Sequence, residues 1–302
     1  MTTEQPNKFQ FIAESESRLD IALAKQYPEF SRNFWMERCK AGVVLVAGKK
    51  RPPAHLVKPG DSISLVEEPT LTQARTLAHL PELDIRYQDN DLLVLNKPAG
   101  IPSVTLSKDD PETLADRIVT LFPECLQAGE DLREAGLIHR LDTAASGLII
   151  AARNRESWYK LRESLKAREV EKEYLVLVEW APPEYERLEL FLSAKGKKVR
   201  ISPDEFTDAE RTETKIKTES ALSESTSLVR VSAPFAKRHQ VRAVLSYLGN
   251  PLIGDTLYGS ERSLSEFGVK EEFFLHCEKV VFPHPRSGER IEVVADDHAF
   301  KR

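Results

Sequence analysis

Residues 136–154 read GLIHRLDTAASGLIIAARN, and this stretch decides the fold. A short apolar run, Gly136-Leu137-Ile138, leads into His139-Arg140-Leu141-Asp142. A turn of small residues follows, Thr143 to Gly147, and then a second apolar run, Leu148 to Ala152. Apolar runs of this length bounded by small residues read as buried strands, and the small residues between them as a tight connection. The pattern therefore predicts two core strands with one carboxylate, Asp142, at the mouth of their connection. A charged loop residue held by rigid elements suits catalysis. The spacing alone equally allows a structural role, in which Asp142 caps the turn and pairs with Arg140.

Composition sets the outer bounds. A chain of 302 residues suggests two domains, and 41% hydrophobic residues suffice for a sizeable core, which excludes a disordered protein. The net charge of −5 argues against a uniformly basic nucleic-acid binder. Its distribution is uneven, however. Residues 17–66 hold nine Lys/Arg against four Asp/Glu, while acid collects at Glu184, Glu186, Glu189 and between Asp204 and Glu213. Three separated cysteines (Cys39, Cys125, Cys277) make neither a metal spacing nor a disulfide framework, which fits a reducing compartment. The first 16 residues lack a basic segment followed by an apolar one, and no apolar run reaches 18 residues. The expectation is a cytoplasmic monomer with no membrane partner. No glycine-rich phosphate loop follows a strand, so no nucleotide cofactor is expected, and no other cofactor or metal.

Working outward toward the N-terminus, residues 1–16 read as an arm. Ser17 is placed to cap a helix with Leu19, Leu23 and Tyr27 on one face. Ser31 is placed to cap a second, with Trp35 and Cys39 on one face and Gly42 as its stop. Strands Val43–Val46 and Ser62–Val66 follow. This run, SRLDIALAKQYPEFSR…AGVVLVAGKKRPP…LVKPGDSISL, resembles the S4 RNA-binding domain, with Ala47 in place of the usual Asn before Gly48. The expected RNA face is Arg18, Arg32, Arg38, Lys40, Lys49, Lys50 and Arg51. Residues 67–82 read as a linker, and a second domain is expected over 83–302.

In that second domain, Asp84–Tyr87 and Leu92–Leu95 read as strands around a polar turn. Thr113–Phe122 reads as an amphipathic helix with Leu114, Ile118 and Leu121 inward, and Glu156–Ala167 as another with Trp158, Leu161 and Leu165 inward. Lys172 to Val178 alternates as a strand, and Thr214–Thr218 is a further candidate. Ser193–Arg200 gathers Lys195, Lys197, Lys198 and Arg200 around one glycine, a loop suited to a phosphate backbone or to solvent.

His139-Arg140-Leu141-Asp142 with Ser146-Gly147 resembles the signature HRLDxxTSG of the RluA-type pseudouridine synthases, with Ala145 where that family has Thr. Further elements follow in series. Asn96–Pro102 resembles NKPxGxP, Lys172–Val178 resembles KxYxAxV, and Ala236–Arg242 resembles GRTHQIR. Gly249–Gly259 resembles GxPIxGDxxYG, and Leu275–Pro285 resembles LHAxxLxFxHP. Departures fall at Val104, Ala236, Lys237, Arg238 and Val244. The resemblance implies an α+β pseudouridine synthase fold with a large, mainly antiparallel sheet, joined to a small N-terminal S4 domain. It implies that the enzyme isomerises uridine in structured RNA, ribosomal RNA first and transfer RNA second. Asp142 is then the catalytic carboxylate, Arg242 its partner and Tyr174 the face against the uracil and a helper in removing the C5 proton after reattachment. His139 and Arg140 are assigned to the RNA, Arg140 filling the space left by a flipped nucleotide. Two alternatives use the same residues differently. One is an inactive RNA-binding or RNA-folding protein on this scaffold, against which the retention of Asp142, Tyr174 and Arg242 argues. The other is a hydrolytic glycosidase, which lacks a second carboxylate in a comparable motif.

Overall fold

The structure, a computed structural model, describes residues 10–27, 32–66, 82–105, 112–234 and 236–300. The chain divides into two compact units, the first over residues 1–79 with 130–132 and the second over 80–129 and 133–302.

The first unit contains β1 (Gln10–Ile12), β2 (Ser17–Arg18), α1 (Leu19–Gln26), α2 (Arg32–Ala41), β3 (Val44–Val46), β4 (Lys49–Lys50), β5 (Leu56–Val57) and β6 (Ser62–Leu65). Its sheet runs β1-β6-β3-β4 with antiparallel pairing, and β2 pairs with β5. Leu19 and Leu23 of α1 close on Trp35 and Cys39 of α2 and on Val44, Val46, Ile63 and Leu65 of the sheet. Ser17 does not cap α1. It lies in β2, and Arg18 occupies the cap position without a side-chain cap. The Arg18 guanidinium instead holds the fully buried Asp20 carboxylate at 3.0 Å. Ala47 and Gly48 sit at φ 48° and 75° between β3 and β4. Two successive left-handed residues make the tight turn whose twist matches a hairpin, and Asn enters that region more cheaply than Ala. Ser31 and residues 67–81 of the expected linker lie outside the described residues.

The second unit contains β7 (Ile85–Gln88), β8 (Leu92–Lys97), α3 (Leu114–Leu121), β9 (Ser146–Ala152), α4 (Arg155–Lys166), β10 (Glu171–Glu179), β11 (Tyr185–Ser193), β12 (Arg200–Ser202), β13 (Glu210–Ser223), β14 (Thr226–Ser232), α5 (Gln240–Tyr247), β15 (Leu275–Pro283) and β16 (Arg290–Val294). These strands form one ten-stranded sheet, in the order β12-β11-β13-β14-β10-β15-β9-β8-β7, with β16 also on β15. All of its pairings are antiparallel except β15 with β9.

The central strands are apolar on both faces because both are covered. Leu92, Val94, Leu148 and Ile150 join a core with Trp158, Leu161 and Leu165 of α4 and Val241, Val244 and Leu245 of α5. The alternate residues Leu93, Leu95, Ile149 and Ala151 pack with Leu114 and Ile118 of α3 on the opposite face. Thr113 caps α3 in a reciprocal pair with Asp116, as a helix start requires.

Three sequence expectations change here. Gly136–Ile138 is not a full strand. It bridges β9 at Leu137 and Ala151, with Ile138 N donating to Ile150 O at 2.9 Å and Ala152 N to Gly136 O at 2.8 Å. The chain then leaves this pairing, and β15 pairs at the start of β9 through Ser146 and Gly147. Leu121 is exposed, because α3 ends there and the partly buried Phe122 joins the apolar cluster. The strand expected at 214–218 extends over the whole of β13.

Gly147 fixes the close approach of β9 and β15. It has φ 106°, and a Cβ there would lie 2.4 Å from both the nitrogen and the carbonyl oxygen of Cys277. Gly147→Ala should therefore lower stability by about 3 kcal/mol or more, from backbone strain together with overpacking. Gly288→Ala, at φ 74° with open space around it, should cost only about 1 kcal/mol. Thermal melting of the two variants side by side checks the difference.

Candidate active site

A row of residues across four strands carries the site. Tyr174 on β10 lies opposite Cys277 on β15, Cys277 opposite Gly147 on β9, and Gly147 opposite Lys97 on β8. This register sets the Asp142 loop, which enters β9 at Ser146, two strands from Tyr174. Tyr174 is buried in the same core as α5. Burial pushes its phenol well above the usual range, with Cys277 and Asp142 adding to the shift, so it stands as a neutral phenol.

The loop is held from beneath. Lys97 is fully buried, and its ammonium donates to the carbonyls of Pro98 at 2.9 Å, Ile101 at 2.8 Å and Thr143 at 3.3 Å. Burial brings its pKa down to about 7, against an opposing pull from Asp142. Gly100 N donates to Thr143 O at 2.8 Å, and Ala145 N closes the turn on Asp142 O at 3.1 Å. The Ser103 hydroxyl both donates to Leu141 O and accepts from Leu141 N. The NKPAGIP segment and the residue after it thus grip the chain on either side of Asp142.

Arg242 reaches the carboxylate from above, one turn into α5. Its Nη1 donates to Asp142 Oδ2 at 2.8 Å, while Nε and Nη2 fork onto Asp255 at 2.6 and 2.9 Å. Asp255 is fully buried, and the guanidinium carbon lies 4.4 Å from the Phe273 ring centroid and 5.1 Å from that of Tyr258. Burial opposes the charge on Arg242, but hydrogen bonds to Asp255 and Asp142 outweigh it and raise its pKa. A guanidinium fixed by one carboxylate and two rings has one direction left, and it points at Asp142. His239, at φ 56°, places Nε2 3.7 Å from Asp142 Oδ2 and Nδ1 3.1 Å from the Tyr258 hydroxyl.

The expected residues divide accordingly. Asp142, Arg242 and Tyr174 lie on one face of the sheet, and the first two touch. Asp142 pairs with Arg242 rather than with Arg140, which is exposed and makes no ion pair among the described residues. His139 corrects its assignment to RNA. It is buried, its Nε2 accepts from Ile150 N at 3.3 Å, and burial together with Lys172 and Arg162 keeps it neutral. Its ring props the loop from within the core, and only Arg140 of that pair faces outward. Lys195, Lys197, Lys198 and Arg200 are exposed, with Lys195 on Asp208 and Arg200 stacked over Phe206. In the first unit Lys40, Lys49, Lys50 and Arg51 are exposed and Arg18 and Arg38 half-buried, while the side chain of Arg32 lies outside the described set. Sequence reasoning misses Lys97, and it misses the carboxylate of Asp255, which reads as a turn former. The departures Val104 and Val244 are both buried in apolar clusters.

Asp89, Asp91 and His284 come close enough together to suggest a metal centre. Their acceptors are already used. Asp89 takes protons from Tyr87, His284 and two backbone amides, and Asp91 takes a fork from Arg286 with Asn154 and Ser157 beside it. The cluster ties the β7–β8 turn to the β15–β16 turn.

Comparison with known proteins bears directly on this geometry. The family profile described as RNA pseudouridylate synthase matches residues 91–247, which contain Asp142, Tyr174 and Arg242. The chain belongs to that family. Ribosomal large subunit pseudouridine synthase C of Escherichia coli O157:H7 is 30% identical to this synthase, covering 98% of this chain and 96% of the relative. Ribosomal large subunit pseudouridine synthase D of Yersinia pestis is 28% identical over 93% of this chain and 88% of the relative. Among solved structures, human RNA pseudouridylate synthase domain containing 4 superimposes with a TM-score of 0.55 at 21% identity, over 70% of this chain and 87% of that one. The synthase is therefore an isomerase of the RNA pseudouridylate class with the corresponding α+β fold. No helix among its described residues is long and apolar enough to cross a membrane.

Proposed function

We propose that this synthase converts specific uridines of large-subunit ribosomal RNA to pseudouridine, with Asp142 as the reacting carboxylate. The N1–C1′ bond breaks, the uracil turns, a C5–C1′ bond forms, the C5 proton leaves to solvent, and the freed N1 takes up a proton in exchange. Atoms balance without a redox partner. A single ionised carboxylate serves this chemistry, whether it attacks covalently or takes a ribose proton. The observation that carries the reading is the Asp255–Arg242–Asp142 chain. Its cation keeps a hydrogen bond on Asp142 while leaving that side chain 22% exposed to an incoming nucleotide. Tyr174 offers a flat face for the flipped base. Its raised pKa makes it a stacking surface rather than a phenolate base.

The relatives named above are ribosomal large subunit synthases, which favours that RNA over transfer RNA. Arg140 would fill the space left by the flipped nucleotide, the exposed cations of the 194–200 loop would lie along the RNA backbone, and the first unit, read as an S4-like domain, would add a second contact. Chemical mapping of pseudouridine on unmodified large-subunit, small-subunit and transfer RNA tests the choice. Modification confined to large-subunit RNA is the expected outcome, and modification of transfer RNA alone would reverse it. Neutralising Lys49, Lys50 and Arg51 to Gln should weaken RNA affinity and flatten its salt dependence, by a slope of about 0.7–0.9 for each phosphate no longer neutralised. Filter binding at several salt concentrations checks this. An unchanged slope would remove the first unit from RNA binding.

A further inference from the structure

We propose that Tyr258 and His239 are positioning residues that couple the 194–200 loop to the Asp142 carboxylate, so that engagement of the loop sets the alignment of the reacting group. The proposal rests on the reading of Asp142 as the reacting carboxylate.

The loop has two anchors, and both lead to the same place. At its start, Nη2 of Arg238 donates to the carbonyls of Ala194 and Gly196. At its end, the amide of Val199 donates to the Tyr258 hydroxyl at 3.0 Å. Arg238 precedes His239 in the chain, and the Tyr258 hydroxyl lies against His239 Nδ1 at 3.1 Å. One anchor of the cationic loop therefore reaches His239 through Tyr258, the other is held by the residue preceding His239, and the other ring nitrogen of His239 faces Asp142 at 3.7 Å.

The hydrogen bonds along this path fit one consistent set of directions. A hydroxyl that accepts from a backbone amide keeps its own proton to give. In this set Tyr258 gives it to His239 Nδ1, which accepts. A neutral imidazole that accepts at Nδ1 carries its proton on Nε2, the end turned toward Asp142. With these directions the loop amide favours the Nε2–H tautomer of a ring beside the carboxylate. His239 stands in left-handed backbone, a costly place for a residue other than glycine, and Gln240 holds it there. The Gln240 side chain is buried, accepts from Lys237 N, and donates to Glu213 O and Thr214 Oγ1.

The Tyr258 ring adds a second link. Lys198 of the loop lies 5.2 Å from its centroid, and Arg242 lies 5.1 Å from the same centroid. One ring touches a loop cation and the cation that holds Asp142. A phosphate that draws Lys198 away changes what that ring experiences. Arg238 stands where the resembled motif has Thr, so this anchor belongs to this chain's own sequence.

The test is a double-mutant cycle on Tyr258→Phe and Lys198→Met. It reads the single-turnover rate of tritium release from RNA labelled at C5 of uridine, together with RNA affinity. Tyr258→Phe should lower the rate about tenfold with affinity held within about twofold, the loss of one hydrogen bond felt after binding. Lys198→Met should lower both rate and affinity in the wild-type background, and should lower the rate less when Tyr258 is Phe, where the hydroxyl link is gone and only the ring contact remains. Multiplicative rate effects, or an unchanged rate for Tyr258→Phe, would overturn the coupling. Should Tyr258→Phe fail to fold, His239→Leu and His239→Gln carry the same question. Leu should lose rate at constant affinity, Gln should recover part of it, and equal rates for the two would overturn the proposal. A wild type that binds RNA and releases no tritium would sink the Asp142 reading and the coupling with it. An active wild type with independent mutations would sink the coupling alone.

Discussion

Replacing Asp142 with Asn is expected to lower isomerisation by at least about 10³-fold while RNA affinity stays within about twofold. The amide retains an oxygen for Arg242 Nη1, and Arg242 keeps its fork on Asp255, so the site remains assembled. The Asp142 side chain is also partly exposed, and its structural cost should stay near about 1 kcal/mol. What disappears is the negative charge, which both available routes require. Single-turnover tritium release, with affinity measured on the same RNA, separates the two effects. A fall in affinity matching the fall in rate would make Asp142 a binding residue.

The second large effect concerns Arg242. Its change to Met leaves Asp255, fully buried, without the cation that balances it. Breaking a buried ion pair by removing one partner costs about 3–5 kcal/mol, because the remaining charge stays in low dielectric. Arg242→Met should therefore lose both stability and activity. Adding Asp255→Asn removes the stranded charge and should restore most of the stability. Activity should not return, since the guanidinium that hydrogen-bonds Asp142 is still missing. Melting curves and rates on the single and double variants check the pattern. Recovery of activity in the double variant would reduce Arg242 to a structural counter-ion.

Much of this arrangement is legible in the sequence because the informative residues lie in local patterns. The HRLD stretch between apolar runs announces a carboxylate at the edge of a core. Leu148–Ala152 reads as a buried strand, since residues alternating between two covered faces are apolar, and Lys172–Val178 reads as a strand by its alternation. What stays hidden depends on distance along the chain. Lys97 reads as a surface cation in any linear view, because an unpaired buried ammonium is costly. The structure buries it by bringing the carbonyl of Thr143 to it across 46 positions. Asp255, between two loop residues, reads as a turn, and its carboxylate gains a partner only when α5 packs over the sheet. His139 sits three residues before Asp142 and beside the exposed Arg140, and it reads outward with them. The bridge between Leu137 and Ala151 holds that part of the chain in the core instead. Leu121 keeps the helical period at a position where the helix is already ending. At Val104 and Val244 the sequence marks departures, and only the packing shows that these positions face apolar clusters.

The central claim is that the carboxylate of Asp142 drives isomerisation rather than cleavage or mere binding. The most direct measurement incubates the wild-type synthase with unmodified large-subunit RNA labelled at C5 of uridine, and follows tritium in water and uracil free in solution together. Tritium released with no free uracil is the predicted result, because the base leaves N1 and returns through C5 without departing. Free uracil would identify a hydrolase. RNA bound with neither product formed would identify a binding protein on this scaffold, and either finding would contradict the account.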